Sequence, residues 1–166
     1  MKARVEDLMT TKYVKVMVND KISKVMSEIA QDRETMIACV VDEDGKLRGI
    51  ITPRRLLKAV QMSSFSNTRD SYFAWEEALS SMTAKYAEDL MGPVISVTPN
   101  YSINDTIDLM LDKSLYELPV LDQSGRMLGE INFFHIIMSW AKGFKKRQLR
   151  PQSIEHIHWL KRVRQR

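Results

Sequence analysis

Apolar residues recur with helical spacing in two stretches of the chain, and each position of one stretch has a counterpart in the other. The spacing i, i+3, i+4, i+7, i+8 places such residues along one face of an α-helix. The first set is Ile22, Val25, Met26, Ile29 and Ala30, and the second is Ile103, Thr106, Ile107, Met110 and Leu111. Because Thr106 alone among them is polar, the pattern predicts two equivalent amphipathic helices.

Polar residues and a repeated tetrapeptide precede each predicted helix. Asn19 and Asp20 stand before the first helix, and Ser102 with Asp105 resembles a capping box at the start of the second. The tetrapeptide EDLM occurs ahead of both, at 6–9 and at 88–91. These agreements indicate an internal duplication.

The residues after each amphipathic helix repeat as well. IACVVDEDGKLRGIIT (37–52) matches ELPVLDQSGRMLGEIN (117–132), and each has two apolar runs around a polar turn with glycine. This pattern predicts a strand, a turn and a strand. A second helical pattern follows each hairpin, and Thr52 and Asn132 stand at the N-cap position, with Pro53 at the first helical position.

Each repeat is therefore predicted to be β–α–β–β–α, with VKVM (14–17) and ISV (95–97) as the first extended segments. A unit of roughly 55 residues has a marginal core by itself, whereas two facing copies share one. The predicted fold class is α/β (α+β), with two repeats related by a pseudo-twofold axis.

The pattern resembles a tandem pair of cystathionine-β-synthase (CBS) domains, known as a Bateman module. VEDLMT (5–10) with AEDLMG (87–92) and the two hairpins carry the resemblance, which covers about residues 3–62 and 85–141. It implies repeats packed through their sheets, two clefts between them and homodimers. It also implies regulatory binding of adenine nucleotides rather than catalysis.

Two further segments flank the second repeat. The predicted organisation is a first repeat at 1–62, an insert at 63–86, a second repeat at 87–141 and a basic tail at 142–166. An apolar stripe predicts an extra helix in the insert, and Ser153 is a candidate cap for a basic C-terminal helix. The stripe consists of Tyr72, Trp75, Leu79, Met82 and Tyr86. The candidate roles of the insert are packing within the chain and a contact between two subunits. The candidate roles of the tail are binding an acidic partner, binding nucleic acid and solubility.

Composition restricts the setting and the chemistry. The chain has 166 residues, a net charge of +4 and one cysteine, Cys39, so it cannot form an internal disulfide. Without a long apolar run or an apolar leader, we expect a cytoplasmic protein that does not span a membrane. We expect no enzyme activity and no metal site, because the sequence lacks a nucleophile-elbow motif, a phosphate-binding loop and a cluster of metal ligands.

The start of the helix after each hairpin is a candidate anion site, because a helix N-terminus stabilises phosphate. In the first copy Thr52, Arg54 and Arg55 stand there, and in the second copy Asn132 and His135. The alternative for the arginines is a solvated helix face. The family pattern Gly-x-x-Thr/Ser-x-x-Asp implies a ribose-binding aspartate, which GIITPRR and GEINFFH replace with Arg55 and His135.

The substitution of that aspartate changes the ligand expected. Arginine cannot accept hydrogen bonds from ribose but binds phosphate through two N–H groups. We therefore expect a phosphate-rich or nonstandard nucleotide in the first cleft, with AMP, ADP and ATP as candidate ligands, and weak or absent binding in the second. The resemblance implies further wall residues: Thr10, Thr11, Lys12, Tyr13, Val14, Ala38, Cys39, Val40, Val94, Ile95, Leu118, Pro119 and Val120. Core packing is the alternative for the apolar ones.

Two functions remain open from the sequence. The first is a non-catalytic sensor whose ligand or partner biases the shape of a dimer that another protein recognises. The second is a ligand-independent dimerisation or scaffold module, with the basic tail as a contact for an acidic partner or nucleic acid.

Overall fold

The computed structural model describes residues 3–32, 34–64 and 84–148, and side chains are described except at 61–64 and 144–148. These residues fall into two compact units, one ending at Phe133 and the other beginning at Phe134. Most of the insert and the tail beyond Gln148, where an extra helix and a basic C-terminal helix are predicted, lie outside the described residues.

The first repeat forms a three-stranded sheet with two helices. Its elements are β1 (Val14–Met17), α1 (Ile22–Gln31), β2 (Ala38–Val41), β3 (Leu47–Ile51) and α2 (Pro53–Ser64). β2 lies in the centre, parallel to β1 and antiparallel to β3. Pro53 begins α2 as predicted, because its fixed φ suits the first helical position.

After a short first helix, the second repeat has the helix–strand–strand–helix order of the first repeat, with a two-stranded sheet. Its elements are α3 (Ala87–Leu90), α4 (Ile103–Lys113), β4 (Glu117–Leu121), β5 (Met127–Asn132) and α5 (Phe133–Gln148). β4 and β5 pair antiparallel, and the segment predicted to be extended at 95–97 contributes one parallel bridge, Val97 to Val120. The predicted α/β fold of two strand–helix repeats is confirmed. No helix in the described ranges is long and apolar enough to cross a bilayer.

The two amphipathic helices begin differently. At α4 the Ser102 hydroxyl accepts the Asp105 backbone N–H at 3.1 Å and donates to the Asp105 carboxylate at 2.7 Å. The predicted cap at Asn19 and Asp20 is wrong, because α1 begins after Lys21, which makes no side-chain cap. Asp20 instead accepts the Met17 N–H at 2.8 Å and thereby stabilises the turn between β1 and α1.

Replacing Ser102 with Ala is expected to lower the free energy of unfolding by about 1 kcal/mol, because the Asp105 N–H loses its side-chain acceptor. Urea denaturation followed by circular dichroism measures the change. Ser23→Ala, at an exposed position of α1, is the matched control and is expected to stay within about 0.5 kcal/mol of the wild type. Equal losses in the two variants would contradict the capping role.

Each EDLM tetrapeptide lies in a segment that hydrogen-bonds to the opposite repeat. Segment 85–92 runs along the first repeat, where the Ala87 N–H donates to the Asp20 carbonyl at 2.8 Å and the Glu88 N–H donates to the Val18 carbonyl at 3.0 Å. The Ile22 N–H at the start of α1 donates to the Lys85 carbonyl at 3.1 Å. The second EDLM therefore helps to position the first amphipathic helix.

Segment 3–10 makes the reciprocal contacts with the second repeat. The Val5 N–H donates to the Tyr101 carbonyl at 3.0 Å, and the Ile103 N–H at the start of α4 donates to the Ala3 carbonyl at 3.1 Å. Thr10 exchanges two backbone hydrogen bonds with Glu130 on β5, each 2.9 Å long. We call 3–10 and 85–92 the exchanged segments, since each completes the repeat to which it does not belong in sequence.

Among the described residues, two buried apolar clusters hold the first unit together. One lies within the first repeat and includes Ala87 and Leu90 from the exchanged segment 85–92. The other joins the repeats, since it combines residues of β2 and β3 with residues around β4 and β5. Its buried members are Ile37, Cys39, Val41, Leu47, Ile50 and Leu121, with Leu115 and Met127 packed against them.

Candidate functional site

A cavity of about 780 Å³ lies in the first unit between parts of both repeats. Its walls come from residues 36–37, the start of α2, the connector after α3 and the loop from α4 to β4. The lining residues are Met36, Ile37, Ile50, Thr52, Pro53, Arg54, Arg55, Leu57, Lys58, Gly92, Pro93, Ile95, Lys113, Ser114, Leu115, Tyr116 and Glu117. This size matches the usual volume of small-molecule sites.

Cationic side chains line part of the cavity. Arg54, Arg55 and Lys58 come from the first turns of α2, and Lys113 comes from the end of α4. The α2 N-terminus adds the positive end of a helix dipole. Within the described ranges, Glu117 is the only acid in the lining, and it is buried. Such a wall favours an anionic ligand.

Arg55 is fixed by the connector after α3. Its Nη1 donates to the carbonyl oxygens of Leu90 and Met91, at 3.2 and 3.4 Å. The guanidinium lies so close to Gly92 that a Cβ there would come within 2.8 Å of Nε. Arginine carries five N–H groups, so it can make this contact and still donate to a ligand in the cavity.

Apolar groups form the rest of the wall. Ile37, Ile50, Ile95 and Leu115 line the cavity, and the first two belong to the cluster that joins the repeats. Tyr116 stands at the edge, 66% exposed, with its ring centroid 5.9 Å from that of Phe133 in an edge-on arrangement. An aromatic or heterocyclic ring could pack against this wall.

Two buried glutamates lie at the junction between the cavity and the second sheet. Glu117 and Glu130 are each 1% exposed. The Met36 N–H donates to Glu117 Oε2 at 2.7 Å, and the Thr35 hydroxyl donates to Glu130 Oε1 at 3.1 Å. Burial raises the pKa of Glu130 to about 10, and a hydrogen bond to Glu117 and charge repulsion from Glu117 are the next largest causes. Burial beside Glu117 thus favours the protonated form of this carboxyl.

Among the residues predicted for the site, the structure brings four together in the cavity wall: Thr52, Arg54, Arg55 and Ile95. Their neighbour Val94 is 42% exposed and lies outside the lining. Asn132 is buried and donates through Nδ2 to the Glu34 carbonyl at 3.4 Å. His135 lies on α5 in the second unit.

The other predicted residues lie elsewhere in the first unit. Lys12, Tyr13 and Val14 line a separate, more open hollow of about 510 Å³ together with acids of α1 and the loop that follows it. Thr10 is paired with β5, and Thr11 is the exposed residue after it. Six predicted residues are buried inside the strands and do not line the cavity: Ala38, Cys39, Val40, Leu118, Pro119 and Val120. Burial raises the pKa of the Cys39 thiol, so it is a poor nucleophile.

The sequence prediction missed the loop between α4 and β4. Lys113, Tyr116 and Glu117 belong to the stretch LDKSLYE and form part of the cavity wall. The duplication carried a signal for this, since the stretch aligns with residues near Met36 and Ile37, which line the same cavity. Among the described residues, no cluster of histidine, cysteine and acidic side chains could hold a metal ion.

Three known proteins illustrate the similarity. A chloroplastic CBS domain-containing protein of Arabidopsis thaliana, CBSX1, is 28% identical over 110 residues, which cover 59% of this chain and 47% of the relative. The chain thus spans about half the length of that curated relative. A CBS domain-containing protein of Thermotoga maritima has a TM-score of 0.68 at 26% identity, over 85% of this chain and 96% of that one.

The third is the structure of CBSX2 of Arabidopsis thaliana in complex with AMP. It has a TM-score of 0.66 at 19% identity, over 84% of this chain and 96% of that one. Other structures with the same fold contain 5′-methylthioadenosine and S-adenosyl-L-methionine, or ATP in the cytosolic domain of the Mg²⁺ channel MgtE.

The family model described as CBS domain matches two segments of the chain, residues 5–62 and 87–141. Together the segments contain the strand–helix repeats described above and both EDLM tetrapeptides. The chain belongs to the CBS-domain family and contains a tandem pair of these domains.

Proposed function

We propose that this protein is a non-catalytic regulatory module that binds an adenosine-type ligand carrying more than one phosphate in the cavity between the repeats. The observation that carries the proposal is the combination of an apolar wall with four cationic side chains at one cavity. The apolar wall suits a purine ring, and the cations suit a phosphate chain. CBS pairs of the same fold in complex with adenosine compounds support this class of ligand.

Arg55 is the reason to favour several phosphates. The family resemblance places a ribose-binding carboxylate at this position, and the arginine offers donors instead. A nucleoside without phosphate gains nothing from the cations and loses the carboxylate. Each added phosphate gains charge-assisted hydrogen bonds from Arg54, Arg55, Lys58 or Lys113.

Thermal unfolding with a ligand panel tests the proposal. ATP and ADP are expected to raise the melting temperature more than AMP, and adenosine or 5′-methylthioadenosine is expected to have little effect. A ligand at a hundred times its Kd adds about 2.7 kcal/mol, which is roughly 5–10 °C for a domain of this size. The shift should shrink as salt is added, because the cations are partly exposed.

Inorganic triphosphate is the matched control for charge alone. If it stabilises the protein as much as ATP does, the apolar wall contributes nothing and the adenosine part of the proposal fails. If no compound in the panel shifts the melting temperature of well-folded protein, the cavity is not a nucleotide site.

A dimerisation or scaffold role is the second candidate. On α5 the apolar side chains of Phe134, Ile137, Met138 and Trp140 are between 53% and 59% exposed. The first three have the spacing i, i+3, i+4 of one helix face, which we propose contacts a second copy of the chain. If light scattering shows a dimer that Ile137→Asp converts to monomer, and no nucleotide binds, the scaffold role is favoured.

A further inference from the structure

Glu117 and Glu130 lie on the same face of the β4–β5 hairpin. Glu117 is opposite Asn132 and Glu130 is opposite Pro119, and side chains two residues apart in a strand share a face. Both carboxyls contact the first repeat, since their donors are the Met36 N–H and the Thr35 hydroxyl. The pair therefore connects the second sheet to the loop that precedes β2.

Each carboxyl has one oxygen without a donor among the described residues. These atoms are Glu117 Oε1 and Glu130 Oε2, and both are buried. The two carboxyls are diagonal neighbours on this face of the hairpin. Two ionised carboxylates would repel each other strongly here, because the site is shielded from water. If one carboxyl is protonated, its O–H donates a hydrogen bond that the other carboxylate accepts.

We propose that Glu117 and Glu130 share one proton, which lets both carboxyls stay buried while they accept hydrogen bonds from the first repeat beside the cavity. The proton gives a hydrogen-bond partner to both oxygens that otherwise lack one, and it leaves one negative charge on the pair instead of two. The proposal goes beyond ligand binding and does not depend on the identity of any ligand.

The groups around the pair favour retention of the proton. Asp32, after α1, raises the pKa of Glu130 through its negative charge. Cys39 on β2 is a buried thiol that is neutral beside the pair. Lys113, which shares the cavity wall with Glu117, is paired with Asp112 at 2.6 Å.

The shared proton makes stability depend on pH in a definite direction. In the unfolded chain Glu130 has its ordinary pKa near 4.5, whereas in the folded chain the pKa is raised. Between these values the folded protein keeps a proton that the unfolded chain releases, so stability falls as pH rises. The stabilisation from this proton is fully present below the pKa of Glu130 in the unfolded chain, and it is lost as the pH rises through the pKa of Glu130 in the folded chain.

Thermal unfolding of ligand-free protein between pH 5 and pH 9 tests the proposal. The wild-type melting temperature is expected to fall by roughly 10–20 °C over this range. Glu130→Gln should show a much smaller fall and a higher melting temperature than the wild type at pH 9. Its amide NH₂ can donate to Glu117, and its carbonyl can accept from Thr35. Glu43→Gln, an exposed carboxyl in the β2–β3 turn, should follow the wild-type profile.

Parallel profiles for the wild type and Glu130→Gln would overturn the proposal. Infrared spectroscopy tests the shared proton in the wild-type protein, so it does not depend on whether Glu130→Gln folds. Wild-type protein at pH 8 with ¹³C-labelled glutamate should show the carbonyl band of a protonated carboxyl, and absence of that band would also overturn the shared proton. Since both measurements use ligand-free protein, their outcome is independent of whether nucleotides bind.

Discussion

Gly129→Ala is expected to lower the free energy of unfolding by about 3 kcal/mol, because β5 has no room for a side chain at this position. An added Cβ would overlap the carbonyl oxygen of Thr10 and lie 2.9 Å from the Met9 Cε. Thr10 cannot retreat cheaply, since its N–H and carbonyl both hydrogen-bond to Glu130 at 2.9 Å. The variant must either distort β5 or detach the exchanged segment 3–10. Urea denaturation measures the loss.

Gly143→Ala is the matched control for this substitution. A Cβ at Gly143 on α5 would meet no heavy atom of the described residues within 4 Å outside its own helix backbone. Alanine is therefore expected to stabilise α5 by about 0.5–1 kcal/mol.

Gly49→Ala should lose stability as Gly129→Ala does, because its Cβ would overlap the Gly92 carbonyl oxygen in the other exchanged segment. If Gly129→Ala and Gly49→Ala are both as stable as the wild type, the exchanged segments do not pack closely against these glycines.

Arg55→Ala is expected to weaken ATP binding about tenfold and to lower the free energy of unfolding by about 1.5 kcal/mol. The first effect rests on the proposed ligand, whereas the second rests on the hydrogen bonds from Nη1 to Leu90 and Met91. Calorimetric titration with ATP and urea denaturation measure the two effects separately.

Lys58→Ala separates the two roles of Arg55. Lys58 lines the same cavity from the exposed side of α2, and in the part of the chain that the structure describes it makes no hydrogen bond to the connector. Its loss should weaken ATP binding several-fold and leave the free energy of unfolding within about 0.5 kcal/mol of the wild type. If Arg55→Ala and Lys58→Ala unfold at the same urea concentration, the contact of Arg55 with the connector does not stabilise the fold.

The elements that depend on local pattern could be predicted from the sequence. The helical stripes and the alternation around the turn glycines predicted the helix–strand–strand–helix order of both repeats, because each signal lies within one element. The cap at Asn19 and Asp20 failed, since Asp20 is recruited by the Met17 N–H of the preceding turn. A cap residue and a turn residue look the same in a short polar stretch.

The features that depend on tertiary contacts were not predictable in the same way. EDLM gave the register of the duplication, yet nothing in its four residues says that each copy bonds to the opposite repeat. Likewise, glutamate is usually exposed, so Glu117 and Glu130 gave no sign of burial before the two sheets were brought together. Lys113 and Tyr116 became wall residues only through the position of their loop.

The exchanged segments also bear on how such a pair could arise. A single repeat that must receive its first segment from another copy completes its fold only as a swapped dimer, with stability that depends on protein concentration. When two copies are joined in one chain, this bimolecular exchange of segments becomes intramolecular, and the effective concentration of each segment is on the order of millimolar. Fusion of the two copies would thus have removed the dependence on dilution while leaving the reciprocal hydrogen bonds of Thr10 and Gly92 as its trace.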